Sequence, residues 1–161
     1  MDLLLLPLDG DGKARLLIET PFSEYGARLS PDGRAIAYVS TESGRPEIYI
    51  RTFPALEGKT QVSTNGATQP VWSRRGGELY FATPEAMMAV SVQAGETIAV
   101  GQPRRLFDFR FYVKGATHTG HDVARDGRFL MVKQKQTGNV VTTDNLLVVL
   151  NWFEELKERL R

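Results

Sequence analysis

The sequence predicts an all-β chain, and three observations carry that prediction. A turn ending in glycine and followed at once by an apolar strand occurs three times. Its glycines, Gly33, Gly76 and Gly127, stand 43 and 51 residues apart. Between those turns lie further short strands bounded by clusters of Gly, Pro, Asn and Ser. Four-stranded propeller blades repeat about every 40–50 residues. The expected fold is therefore a β-propeller fragment of about three four-stranded antiparallel blades. One short α-helix is expected at the C-terminus.

The first turn is Leu29-Ser30-Pro31-Asp32-Gly33, followed by Arg34 to Val39. Proline presets φ near −65°, aspartate bonds the backbone ahead of it, and glycine takes the positive φ that closes the turn. The second runs from Trp72 to Gly76 and leads into Gly77 to Phe81. The third runs from Val123 to Gly127 and leads into Arg128 to Val132. After the first hairpin, Glu47 to Arg51 and Lys59 to Ser63 supply the outer strands. Alternation there sets Ile48 and Ile50 on one face, expected to be buried, and Tyr49 and Arg51 on the other. Asn65-Gly66 closes this unit, and the next inner strand starts near Gln69-Pro70-Val71. In the second unit the outer strands are Met87 to Val92 and a weaker segment from Arg104 to Phe107. In the third, Asn145 to Leu150 supplies a third strand.

The N-terminus begins inside a blade. Leu3 to Leu8 and Ala14 to Ile18 flank the turn Asp9-Gly10-Asp11-Gly12, as the outer half of a blade whose inner half is missing. At the other end Asn151 can cap a helix whose Trp152, Leu156 and Leu160 recur at i, i+4 and i+8, with Phe153 beside them. So short a helix needs a surface to dock on. The division is one domain: an outer half-blade over 1–20, blades over 21–66, 67–110 and 111–150, and the helix over 151–161.

Composition narrows the function. Twenty basic and nineteen acidic residues leave a net charge of +1, without the concentrated basic field of a nucleic-acid binder. The Arg74-Arg75 and Arg104-Arg105 pairs read as solvated surface. The chain has no cysteine, which excludes disulfides, thiolate metal sites and cysteine nucleophiles. No apolar run reaches the roughly 18 residues of a membrane helix, and Leu3 to Leu6 lacks the basic start of a signal peptide. The chain reads as soluble as written, with no membrane segment, no cofactor and no assigned compartment.

These residues resemble the TolB-type, WD-like β-propeller repeats of bacteria. The resemblance rests on the Ser30-Pro31-Asp32-Gly33 turn, the Ile36-Ala37-Tyr38 strand, and Ser43-Gly44 with Glu47-Ile48-Tyr49. It is closest to the C-terminal propeller of bacterial serine/threonine protein kinases. There a stretch like Gln61 to Gly66 runs into one like Pro70-Val71-Trp72-Ser73, and the domain ends like Val149 to Leu156. The second turn departs with Arg74-Arg75 for Pro-Asp, and the third with Ala124-Arg125 for Ser-Pro. No kinase domain accompanies them: a glycine-rich phosphate loop and a His-Arg-Asp catalytic loop are both missing. The resemblance implies a ring of about six blades, within the usual 4–8, and a non-catalytic module for interaction or ligand sensing. An origin in a membrane-spanning receptor-like kinase would place it outside the cytoplasm. About three blades against about six suggest a homo-oligomer of two half-rings, with a peptide or protein as further ligand.

The only histidine cluster is His118-Thr119-Gly120-His121-Asp122, expected at the channel mouth as a weak ligand site. Two imidazoles without a third remote ligand make a poor metal signature. The alternative is a hydrolase, esterase-like or metal-assisted, with His118 or His121 as base. Ser30, Ser73 and Ser91 are its candidate nucleophiles, and none lies in a nucleophile elbow. The first two occupy equivalent turn positions, which favours a structural role. Phe107, Phe109 and Phe111 alternate along a strand and, with Trp152, Phe153 and Leu156, are the candidate interface residues.

Overall fold

A computed structural model describes residues 1–9, 12–109 and 119–133. The expected third strand over 145–150, the helix over 151–161, and Phe111 and His118 lie outside them. All regular structure among the described residues is β. Strands β1 (Leu3–Leu5) and β2 (Arg15–Ile18) form an antiparallel hairpin. Strands β3 (Glu24–Leu29), β4 (Ala35–Ser40), β5 (Glu47–Thr52) and β6 (Thr60–Gln61) form a four-stranded antiparallel meander in chain order. Strands β7 (Thr68–Trp72), β8 (Glu78–Ala82) and β9 (Ala86–Ala94) begin a second meander. The long β9 is paired along one edge by β11 (Arg104–Asp108) and, nearer its end, by β10 (Ile98–Val100), a strand the sequence pattern did not announce. Strands β12 (His121–Val123) and β13 (Phe129–Met131) form a closing hairpin.

The three glycine turns form as their chemistry requires. Gly33, Gly76 and Gly127 have φ of 70°, 74° and 87°. Each donates its N–H to the carbonyl three residues back, on Ser30, Ser73 and Ala124. In the first turn Ser30 Oγ also donates to Asp32 Oδ1 at 2.6 Å and accepts the Ala35 N–H at 2.9 Å. The serine is thus a brace for the turn.

The four units stack face to face. One face of the first meander, carrying Ala35, Ala37, Val39, Ile48 and Ile50, packs against Trp72, Leu79, Phe81, Val90 and Val92 of the second. The opposite face of the first, with Tyr38 and Tyr49, is covered by Ile18, Leu3 and Leu17 of the β1–β2 hairpin. The opposite face of the second, with Val71, Tyr80, Met87 and Ala89, packs against Val123 and Met131 of the β12–β13 hairpin and against Phe109. Both faces of each meander are therefore buried, which corrects the one-faced reading of β5. Tyr49 is buried beside Tyr38, their rings 6.0 Å apart, and Arg51 is half-buried. Burial pushes the Tyr38 phenol up to about 12.

The first strands of successive units, β3, β7 and β12, lie side by side in that order. Successive antiparallel meanders, stacked on their faces with inner strands adjacent, are the arrangement of propeller blades.

Candidate functional site

The inner strands are stitched across the units by side chains. Trp72 Nε1 donates to the Arg28 carbonyl at 2.9 Å, and Arg28 Nη2 to Thr119 Oγ1 at 3.0 Å. Arg74 Nε donates to the Val123 carbonyl at 2.8 Å, and its Nη2 pairs with Asp122 Oδ2 at 2.7 Å. Arg74, read from sequence as solvated surface, is thus a strut between the second unit and the closing hairpin.

Strands β3 and β7 share an irregularity near their starts. The pairing register shifts between Tyr25 and Arg28, and again between Thr68 and Val71. The residues inside those bulges are Gly26 at φ 65° and Gln69 at φ 58°. A left-handed conformation suits glycine, but costs a residue with a Cβ roughly 1–2 kcal/mol. Gln69 is held there by what its side chain does. It is buried, and its Oε1 accepts the Gly120 N–H at 3.0 Å and faces His121 Nδ1 at 3.2 Å.

This contact sets the state of His121. Oε1 is an acceptor, so Nδ1 carries the proton and Nε2 presents a bare lone pair. Nε2 is buried without a hydrogen-bond partner among the described residues. The ring lies edge-on to Phe109 at 6.1 Å and tilted against Phe129 at 6.5 Å. Burial lowers the His121 pKa from 6.5 to about 4, against a smaller raising effect of Asp122. The imidazole is neutral at physiological pH.

Of the predicted channel-mouth residues, the structure describes His121 and Asp122 and sets them apart. Successive strand residues face opposite ways. His121 points into the core, while Asp122 is exposed, pairs with Arg74 and accepts its neighbour Val123's N–H at 2.8 Å. Among the described residues no group of three His, Asp or Glu side chains is placed to hold a metal ion. Of the aromatic interface candidates, Phe109 has no exposed surface, and Phe107 is half-buried with its ring 5.3 Å from Phe129. Trp152, Phe153 and Leu156 lie outside the described residues.

A concave feature adjoins this cluster, and the sequence reading missed it. A pocket of about 250 Å³ opens at the end of the stack where β7 begins and β8 ends. Pro46, Gly66 and Ala67 wall it from the first unit and its exit loop. Thr68, Thr83, Pro84 and Phe109 wall it from the second. Two local braces fix these walls. Glu47, buried at the start of β5, accepts the Ser63 hydroxyl on Oε2 and the Gly66 N–H on Oε1 at 2.7 Å. Thr83 Oγ1 both accepts from the Ala86 N–H and donates to the Ala86 carbonyl, each at 3.0 Å. The prolines at 46 and 84 were the available signal. They read as turn residues, and only the stacking of the two units brings them to one cavity.

The chain is similar to a crystal structure of TolB from Acinetobacter baumannii at 16% identity and a TM-score of 0.45, covering 91% of this chain and 48% of that one. It therefore spans about half the length of that chain. No protein-family model matches the sequence, and no curated protein matches it either.

Proposed function

We propose that this chain is a non-catalytic β-propeller interaction module that seats an apolar side chain of a peptide or protein partner in the pocket between its first two blades. The observation that carries this reading is the pocket itself. At about 250 Å³, it lies just below the roughly 300–1,000 Å³ of small-molecule sites. It suits one side chain. Its walls are two prolines, two alanines, Gly66 and Phe109, with Thr68 beside them as a polar group to orient a backbone. A groove that anchors alternate side chains is a common mode of peptide capture.

The repeat count of about three supports a ring completed by a second copy. The likeness to kinase-borne propellers, carried by Gln61 to Gly66 and Val149 to Leu156, supports a sensing role on the extracytoplasmic side. The hydrolase reading draws less support, because His121 is buried and turned away from Asp122.

Selection of random linear peptides on the whole chain tests the proposal. Enriched peptides should share one aliphatic or aromatic anchor. Thr68→Trp, which fills the pocket, should weaken their binding at least tenfold without moving the unfolding midpoint. Absence of any enriched anchor overturns the reading. So does hydrolysis of chromogenic esters that is lost in His121→Ala.

A further inference from the structure

The loop that enters the second meander carries a reactive pair. The chain has four asparagines, and Asn65 alone is followed by glycine; the others precede Val140, Leu146 and Trp152. A side-chain amide before a glycine is open to attack by that glycine's backbone nitrogen, because no Cβ blocks the approach. Asn65 is exposed, and Gly66 has φ of 80°. What holds the pair apart lies behind the loop. The Gly66 N–H donates to Oε1 of Glu47 at 2.7 Å, and Glu47 is only 1% exposed. The other carboxylate oxygen accepts the Ser63 hydroxyl. The next residue is tied down as well, with the Ala67 N–H donating to the Pro46 carbonyl at 2.9 Å. A hydrogen bond to an ionised carboxylate is among the stronger kinds. A nitrogen engaged in one is fixed in place and cannot swing onto the Asn65 side chain.

We infer that Asn65 is a site of self-modification, converted to aspartate and isoaspartate through a succinimide, and that Glu47 gates the reaction by holding the Gly66 nitrogen. In a local opening that nitrogen leaves Glu47 and bonds to Cγ of Asn65. The Cγ–Nδ2 bond breaks, and Nδ2 departs as ammonia with the proton that the Gly66 nitrogen gives up. Water then opens the imide ring at one of its two carbonyls. Attack at Cγ leaves aspartate in the ordinary chain. Attack at the main-chain carbonyl leaves isoaspartate, whose backbone runs through the side chain and is one atom longer. Nothing is oxidised or reduced. Either product adds a carboxylate one residue from the N–H that Glu47 holds, where like charges repel. The isoaspartate also lengthens the backbone just ahead of Gly66 and Ala67, which wall the pocket. The bonds to Glu47 and Pro46 are then no longer in register. The flux through the reaction is the open fraction of the loop times the rate in the open loop, so the modified fraction records how often the brace has opened. None of this depends on what the pocket binds.

The test incubates the whole chain at mildly alkaline pH. Peptide mapping by mass spectrometry follows the exchange of NH for O at residue 65, and an isoaspartyl methyltransferase counts the isoaspartate. The folded wild type should convert more slowly than the same chain in denaturing urea. Glu47→Ala should convert about tenfold faster than the folded wild type, because its loop opens more often. Glu47→Gln, whose amide oxygen can still accept the Gly66 N–H, should stay near the wild-type rate. In urea all three chains should react at one rate, which separates a lost brace from altered chemistry. Amide exchange at Ile50 reports whether Glu47→Ala is folded. Where it is not, Glu47→Asp, too short to reach the Gly66 N–H, takes its place with the same expectation. Adding Asn65→Gln to Glu47→Ala should abolish the product. The inference is overturned if the folded variant without the brace converts no faster than the wild type. It is equally overturned if Glu47→Ala and Glu47→Gln both convert more slowly, which would make the carboxylate a base that speeds ring closure.

Discussion

At the scale of the residue, His121 and Gln69 form one device. Glutamine accepts a left-handed backbone at φ 58° where the preceding repeat has Gly26. From there its carbonyl oxygen reaches the Gly120 N–H and the imidazole of the next unit. The histidine, held neutral, becomes a source of acid sensitivity. Its pKa is about 4 in the fold and 6.5 unperturbed. As pH falls below 6.5 the unfolded chain takes up the proton first, so the fold loses stability down to about pH 4. Above 6.5 this group contributes no slope. The full loss is about 3 kcal/mol. Asp32, held low mainly by its bond from Ser30, and Asp126, held low mainly by the Arg128 N–H, act only in the window below 3.8. Urea unfolding between pH 4.5 and 7.5 should show the His121 slope in the wild type and lose it in His121→Gln. An unchanged slope in that variant would assign it to another group.

At the scale of the element, the sequence was most informative where chemistry is local. The turns at Gly33, Gly76 and Gly127 were legible because proline, aspartate and glycine act within four residues of one another. Strand positions followed from alternation, and the observed bounds lie within a residue or two of those expected for β4, β5 and β11. Strand β10 was missed because Ile98–Val100 is short and flanked by Gly95 and Gly101, so it reads as loop. Its partner is the far end of the nine-residue β9, a tertiary fact. The burial of Tyr49 was missed for the same reason, since a hairpin from another part of the chain covers it. Glu47 shows the limit best. In sequence it is a charge opening a strand; in the fold it is a buried brace for the loop behind the pocket. Glu47→Ala leaves the Gly66 N–H and the Ser63 hydroxyl without this acceptor. It should cost about 1–3 kcal/mol by chemical denaturation. It should also speed amide exchange at Gly66 more than at Ile50. Equal acceleration at both would show a general loosening rather than a lost brace.

At the scale of the whole molecule, the four stacked units are not equally secured. Among the described residues, each meander is packed on both faces, whereas each end hairpin is packed on one. Local opening draws on the elements with the fewest buried contacts. The β1–β2 hairpin, with Leu4, Leu16 and Leu8 exposed, is therefore the weakest of the described units. The candidate site sits at the opposite extreme, between two meanders, which is why its walls are fixed before any partner arrives. A second copy covering the β1–β2 hairpin, as in the ring completion proposed above, would change the order of stabilities, because binding to the folded state alone stabilises it by mass action. Amide exchange should then depend on protein concentration in one region and not in another. At concentrations well below the dimer dissociation constant, amides of Leu3–Leu5 should exchange far faster than those of Ile48 to Ile50. Raising the concentration a hundredfold above that constant should slow the first group by about a hundredfold and leave the second nearly unchanged. Exchange of Leu3–Leu5 that stays the same at every concentration would mean that no second copy covers this hairpin.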